Sequence, residues 1–170
     1  MKDIISINKN IAIYVDYENI FNKLKSYGIQ PFKDLDFFRV IGELFKGLGS
    51  NVLKYIAYAN FNDTDFNNMD QIQIQEHGLS EIHNYNNSTT TANSLLTMDV
   101  LSDLFMQDNI TKFIIISSEK NLINLVKAIK CENKSVCCIL TKNEINYVVR
   151  EYIGDIKYIE DIFGFNSKCT

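Results

Sequence analysis

Three acidic residues far apart in the chain, Asp16, Asp99 and Glu119, stand where a parallel α/β sheet would deliver them to one edge. Asp16 ends the run Ile11-Ala12-Ile13-Tyr14-Val15, whose apolar, β-branched content reads as a fully buried strand that stops at an acid. The carboxyl ends of strands are where open α/β sheets bind ligands. Asn19 follows about one helical turn later and can lean back over the same spot. Glu119 follows Ser117-Ser118 behind a second apolar strand, Phe113-Ile114-Ile115-Ile116, and Asp99 sits in a helical pattern between Met98 and Val100. Each acid also has an ordinary role open to it. Asp16 can be a helix N-cap, Asp99 a partly exposed helix acid one turn from Asp103, and Glu119 a first-turn acid favoured by the helix dipole. Brought together they have a different chemistry, because two or three carboxylates from separate elements can hold a hard divalent cation against a phosphate. Such an ion polarises the phosphoryl oxygen and lowers the pKa of an attacking water.

The elements that must carry these residues alternate between strand and helix. After the first strand, Ile20, Phe21 and Leu24 outline a short amphipathic helix that can stop at Gly28. Pro31 opens a second helical segment with Phe38, Ile41, Phe45 and Leu48 at helical spacing, ending near Gly47 and Gly49. A strand is expected within 51–61, a weaker helix over 66–76, a short strand over 80–85 and a polar loop over 84–91. Residues 92–105 read as a helix through Leu96, Val100 and Leu104, with Met98, Leu101 and Phe105 beside them. The strand near 112–117 precedes a helix carrying Leu122, Leu125, Val126 and Ile129. A buried strand over 136–140, a helix over about 143–151 and a terminal strand or turn near 156–159 complete the order. This alternation predicts a three-layer α/β/α sandwich, with a mainly parallel central sheet, right-handed crossovers and helices on both faces.

With 170 residues, 46% of them hydrophobic, the chain has enough material for a complete core and is expected to form a single domain over residues 1–170. One proline and seven glycines leave no room for a flexible linker. A net charge of −4 and a pI near 5.2 remove the whole-domain basic footprint of a tight nucleic-acid binder. They do not remove a nuclease, since bound divalent cations reverse the sign of an acidic pocket. Cys131, Cys137, Cys138 and Cys169 lack C-x-x-C spacing and a companion histidine cluster, which points to reduced, mostly buried thiols in a cytoplasmic protein. The amino terminus lacks the apolar run of a signal peptide, and no segment is long enough to span a bilayer. Neither G-x-G-x-x-G nor a Walker-type phosphate loop occurs at a strand-helix turn, and nucleophile signatures are missing. His77 and His83 read as surface residues, with no third ligand suitably spaced.

Residues 11–20, an apolar strand followed by Asp16, two residues and Asn19, resemble the opening motif of the NYN domains, a PIN-like nuclease group. Ala92-Asn93-Ser94-Leu95-Leu96-Thr97-Met98-Asp99 resembles that family's stretch with two acids six positions apart. Residues 113–122 resemble its strand followed by Ser-Ser/Gly-Asp-Ser-Asp-Phe, and residues 136–140 together with Tyr158-Ile159-Glu160 fit the LabA-like branch. The matches occur in the expected order and cover nearly the whole chain.

The resemblance implies a PIN-like, Rossmannoid fold and a metal-dependent ribonuclease that hydrolyses RNA phosphodiester bonds. It assigns Asp16, Asp99 and Glu119 as catalytic ligands of Mg²⁺ or Mn²⁺, with one ion expected in the free protein. Asn19, Asn93, Ser117, Ser118, Asn121 and Thr91 become substrate contacts or outer partners of the ion. The implied partner is RNA, single-stranded, with no membrane; a homodimer or a partner protein stays open. Phe61, Phe66 and Tyr147 are candidate aromatics for such a face, with core packing as their default. The chain departs from the family at several points. Asn93 and Asp99 stand where two acids are usual, and Glu119-Lys120-Asn121 stands for Asp-Ser-Asp. Each Asn replaces an anionic ligand by a neutral carbonyl oxygen. Thr89-Thr90-Thr91 replaces a stretch that in many relatives carries a lysine, and Lys120 reads as a solvated residue at a helix start. The alternative is a catalytically degenerate module that keeps the fold for RNA binding or protein interaction.

Overall fold

A computed structural model of the protein describes residues 9–61, 72, 74–77, 79–83, 92–119, 122–142 and 147–165, without the side chains of Phe32, 81–83, Ala92 and 147–149. Its strands are β1 (Asn10–Asp16), β2 (Asn51–Ala59), β3 (Ser80–His83), β4 (Lys112–Ile116), β5 (Ser135–Leu140) and β6 (Ile156–Tyr158). They form one sheet in the order β3-β2-β1-β4-β5-β6. Every ladder in it is parallel, so the sheet is wholly rather than mainly so. The order reverses between β1 and β4, which makes the crevice beyond their carboxyl ends a topological switch point, the place where such sheets bind ligands.

The helices are α1 (Tyr17–Ser26), α2 (Pro31–Leu35), α3 (Phe37–Gly47), α4 (Ala92–Met106), α5 (Leu122–Cys131), α6 (Tyr147–Ile153) and α7 (Ile159–Phe163). Alternation along β1 explains the three layers. Ile11, Ile13 and Val15 pack into one core with Ile20 and Leu24 of α1 and Phe38, Ile41 and Phe45 of α3. Ala12 and Tyr14 face the other core, with Leu96, Val100 and Leu104 of α4 and Leu122 and Val126 of α5. A strand buried on both faces needs apolar residues at every position, which is how β1 reads.

Several expectations need correction. The segment opening at Pro31 is two helices, because Asp36 adopts a left-handed conformation (φ 46°) and ends α2 before α3 begins. Its carboxylate there pairs with Arg39. Leu48 lies beyond α3 and is 63% exposed. Met98 and Phe105 also face outward, whereas Asp103 turns inward beside Leu104. Leu96, Val100 and Leu104 are buried as their spacing implies, but polar and apolar residues are mixed around the rest of α4, so spacing did not mark Asp103 as buried. Phe61 is a core residue and offers no dimer face. Phe66 and the side chain of Tyr147 lie outside the described residues, as do Cys169 and the side chain of His83. Of the helix expected over 66–76, residues 72 and 74–76 are described and helical, with Ile74 buried. Cys131 is exposed, while burial pushes the thiols of Cys137 and Cys138 up to about 12. Among the described residues no helix is long and apolar enough to cross a membrane.

Helix α4 is pinned to the sheet by a polar clasp. The buried Asp103 carboxylate accepts the Tyr14 hydroxyl at 2.5 Å and the Lys54 ammonium at 2.6 and 2.7 Å. Asp103→Ala strands the buried Tyr14 hydroxyl and removes charge-assisted bonds, so it is expected to lower the unfolding free energy by about 2–3 kcal/mol in urea denaturation. Met98→Gln, on the outer face of the same helix, should change it by less than about 0.5 kcal/mol.

Candidate active site

Asp16 is the last residue of β1 and only 2% exposed. Its Oδ2 accepts the Ser117 hydroxyl at 2.9 Å, and its Oδ1 faces the Asn19 N–H at 3.4 Å, where it caps α1. The helix-capping role and the edge role therefore coexist in one carboxylate. Asn19 joins the next strand over. Its carbonyl accepts the Ser118 N–H at 2.9 Å, and its Nδ2 donates to Glu119 Oε1 at 3.0 Å. Ser117 Oγ, donating to Asp16, also accepts the Glu119 N–H at 3.2 Å. The rim continues to β5, where the buried hydroxyls of Ser118 and Thr141 lie 2.9 Å apart and the Thr141 N–H donates to Ser118 Oγ at 3.3 Å.

Burial drives the Asp16 carboxyl up to about 6. The donors Ser117 and Asn19 pull it back, and the charges of Glu119 and Glu18 push it further up. Glu18 is a neighbour the sequence did not single out. It accepts the Asn60 N–H at 3.1 Å and so ties the start of α1 to the end of β2.

Asp99 is half-buried on α4, and its Oδ2 accepts the Tyr58 hydroxyl at 2.8 Å. Tyr58 stands opposite Asp16 in the β1–β2 ladder. The structure thus gathers Asp16, Asn19, Ser117, Ser118 and Glu119 into one network and holds Asp99, on α4, against Tyr58 of the neighbouring strand. Among the described residues no hydrogen bond joins Asp99 to that network, and no three His, Cys, Asp or Glu side chains form a group that could hold a metal ion. Asn93, half-buried in the first turn of α4, leaves the helix roughly 120° from Asp99 and about 9 Å away along its axis. Thr91, Lys120 and Asn121 lie outside the described residues.

The chemistry of the donors suits a divalent cation. Asp16 and Glu119 bring hard carboxylate oxygens from adjacent strands to one network, and the ordinary Mg²⁺ site uses one or two carboxylates and several waters. Thr141 was legible by the rule that singled out Asp16, since it follows the carboxyl end of β5. A hollow of about 510 Å³ lies elsewhere, between α3 and β2. Arg39 on its wall is already paired with Asp36 and Glu43, and nothing there matches the acid network.

A model of the NYN domain matches residues 10–153. The crystal structure of a protein of unknown function from Vibrio parahaemolyticus is similar in fold, with a TM-score of 0.74 at 18% identity over 92% of this chain and 96% of that one. No curated protein matches the chain.

The buried carboxylate gives a pH signature. With its folded value near 6 and its ordinary value near 3.8, Asp16 keeps a proton in the folded state that the unfolded chain releases between those pH values. Stability from this residue is therefore greatest below about pH 4, falls as pH rises to 6, and stays low above it by roughly 3 kcal/mol. Asn at this position still caps α1 and accepts from Ser117. In EDTA, Asp16→Asn is expected to be more stable than wild type at pH 7.5 in urea denaturation, with the gap closing near pH 4.

Proposed function

The chain belongs to the NYN domain family, within the PIN-like nuclease superfamily, and from that premise we propose that it is a metal-dependent ribonuclease of the LabA-like branch. Its substrate is single-stranded RNA, cut by hydrolysis at the carboxyl edge between β1 and β4. The observation that carries this reading is the Asp16 carboxylate, buried at the switch point with Glu119 beside it and no cation among its described partners. Such crowding of negative charge is tolerated when an ion is there to answer it.

Nucleases of this kind generally use divalent metals. Asp16 and Glu119 would hold Mg²⁺ or Mn²⁺, with Asp99 as the third carboxylate. Once bound, the ion supplies Lewis acidity toward the phosphoryl oxygen and a lower pKa for the attacking water. The remaining work belongs to the chain. Asn19 holds the Glu119 carboxylate with one end of its amide and is itself fixed at the other by the Ser118 N–H just beyond β4. Ser117 keeps Asp16 in one orientation. The Ser118–Thr141 rim extends the edge toward β5 with hydroxyls that suit a phosphate or sugar oxygen.

A second reading, a domain that keeps the fold but has lost catalysis, is favoured by one observation: Asp99 is tied to Tyr58 and stands apart from the Asp16 network. Thermal melting and RNA cleavage separate the two. Mn²⁺ at 100 times its dissociation constant should stabilise the folded chain by about 2.7 kcal/mol. Cleavage of single-stranded RNA should require Mn²⁺ or Mg²⁺ and stop in EDTA. Asp16→Asn should lower it by more than the roughly 10–100-fold that losing an outer partner of a metal site costs. Metal binding with intact RNA would establish the second reading, and cleavage that survives both EDTA and Asp16→Asn would dismiss the first.

A further inference from the structure

Beyond Ser118 and Thr141 the carboxyl edge changes sign. Lys142 follows Thr141 in the turn after β5, and both of its backbone groups are held. Its N–H donates at 2.9 Å to Glu160, a carboxylate only 1% exposed in the first turn of α7, and its carbonyl accepts the Arg150 guanidinium at 3.2 Å. Burying a carboxylate is costly, and here one Glu160 oxygen anchors the turn from which Arg150 is held. Arg150 is fixed from a second side as well. Its guanidinium lies 5.6 Å from the centre of the Tyr158 ring, at the last position of β6, within range of a cation–π contact. The residue is nonetheless exposed, and of its five N–H donors a single one is used among its described contacts.

Charge and placement add to this. Lys142 pairs its ammonium with Asp161, and Arg39 in the hollow beside α3 pairs with Asp36 and Glu43, whereas Arg150 has no acid among its described partners. Strands β1, β4, β5 and β6 are successive parallel neighbours, so Tyr158 ends at the same edge as Asp16. Adjacent strands lie about 4.8 Å apart, which puts the end of β6 roughly 10 Å from that of β4. The Ser118 and Thr141 hydroxyls bridge that interval. An RNA strand cut between β1 and β4 and laid along this rim brings a neighbouring phosphate, not the one being hydrolysed, to the guanidinium.

We propose that Arg150 is a phosphate contact for the RNA strand flanking the cut, its planar fork set in advance by the Tyr158 ring and the Lys142 carbonyl. The proposal rests on the reading of the carboxyl edge as an RNA site, and the contact itself needs no metal ion. It gives a chain of net charge −4 a fixed cation at the edge where a polyanion would lie.

The test is fluorescence anisotropy of a labelled single-stranded oligouridine with the full chain in EDTA, over a series of salt concentrations, for wild type, Arg150→Gln, Arg150→Lys and Arg39→Gln. Steady-state cleavage in Mn²⁺ is followed for the same four. Arg150→Gln should bind about tenfold more weakly at low salt, and its slope of log affinity against log salt should flatten by about 0.7, the value for one contact to a single strand. In Mn²⁺ its KM should rise with kcat kept. Arg150→Lys should keep the wild-type slope, and Arg39→Gln, which removes the same charge from the α3–β2 hollow, should match wild type throughout. An unchanged Arg150→Gln, or an equal loss in Arg39→Gln, overturns the proposal; where Mn²⁺-dependent cleavage continues in that case, the ribonuclease reading stands. RNA that is bound through Arg150 but never cut supports the contact and ends the ribonuclease reading. A wild-type chain that neither binds nor cuts RNA overturns both. Should Arg150→Gln fail to fold, Arg150→Met decides by the same criteria, since it keeps an apolar stem against Tyr158 and removes the charge.

Discussion

A carboxylate taken out of water must be answered by hydrogen-bond donors or by a cation, and the 2% exposure of Asp16 imposes that demand on everything around it. The donors come from two directions, Ser117 behind β4 and Asn19 in the first turns of α1. They reach the same acid because Val15 pairs with Ile116, which puts the next residues, Asp16 and Ser117, side by side. A slip of one residue between β1 and β4 would turn every side chain of one strand to the wrong layer, so the two apolar cores that fix the register also fix the site.

The two edges of the sheet treat acids differently. At the amino edge, Lys112 at the start of β4 meets Asp155 ahead of β6 at 2.7 Å, and although burial works against it, that ammonium holds the Asp155 carboxyl below its ordinary value. Under α4, Asp103 is neutralised by Lys54. At the carboxyl edge between β1 and β4, burial raises Asp16 and two further acids raise it more. Asp103 and Asp155 each meet a lysine ammonium, whereas the described partners of Asp16 at the switch point are hydrogen-bond donors without charge.

Much of this was legible from residue types. The run ending in Asp16, the strand before Ser117 and the alternation of strands with helices defined the layers and brought Asp16, Asn19, Ser117, Ser118 and Glu119 to one edge. What could not be read depended on tertiary choices. Helix α4 mixes polar and apolar residues around its inward stripe of Leu96, Val100 and Leu104, so the burial of Asp103 and the exposure of Met98 were hidden. The left-handed turn at Asp36 came from an Asp inside an otherwise helical pattern, and such a residue carries no mark until its neighbours force the turn. Tyr58 looked like one more apolar letter in a strand, because its hydroxyl matters only once α4 has laid Asp99 above it.

The strand order has a consequence for how the chain acquires its shape. Ser117 lies 101 residues beyond Asp16, and β1 waits for β4 through the whole synthesis of β2, β3 and α4. Until then β1 is the open border of an unfinished sheet, presenting Ile11, Ile13 and Val15 with half their backbone groups unmatched. Contacts so distant along the polymer form late and slowly. The emerging polypeptide is therefore most prone to adhere to other chains in the interval before residues 112–116 leave the ribosome, and the acidic edge is assembled by the same closure that ends this hazard.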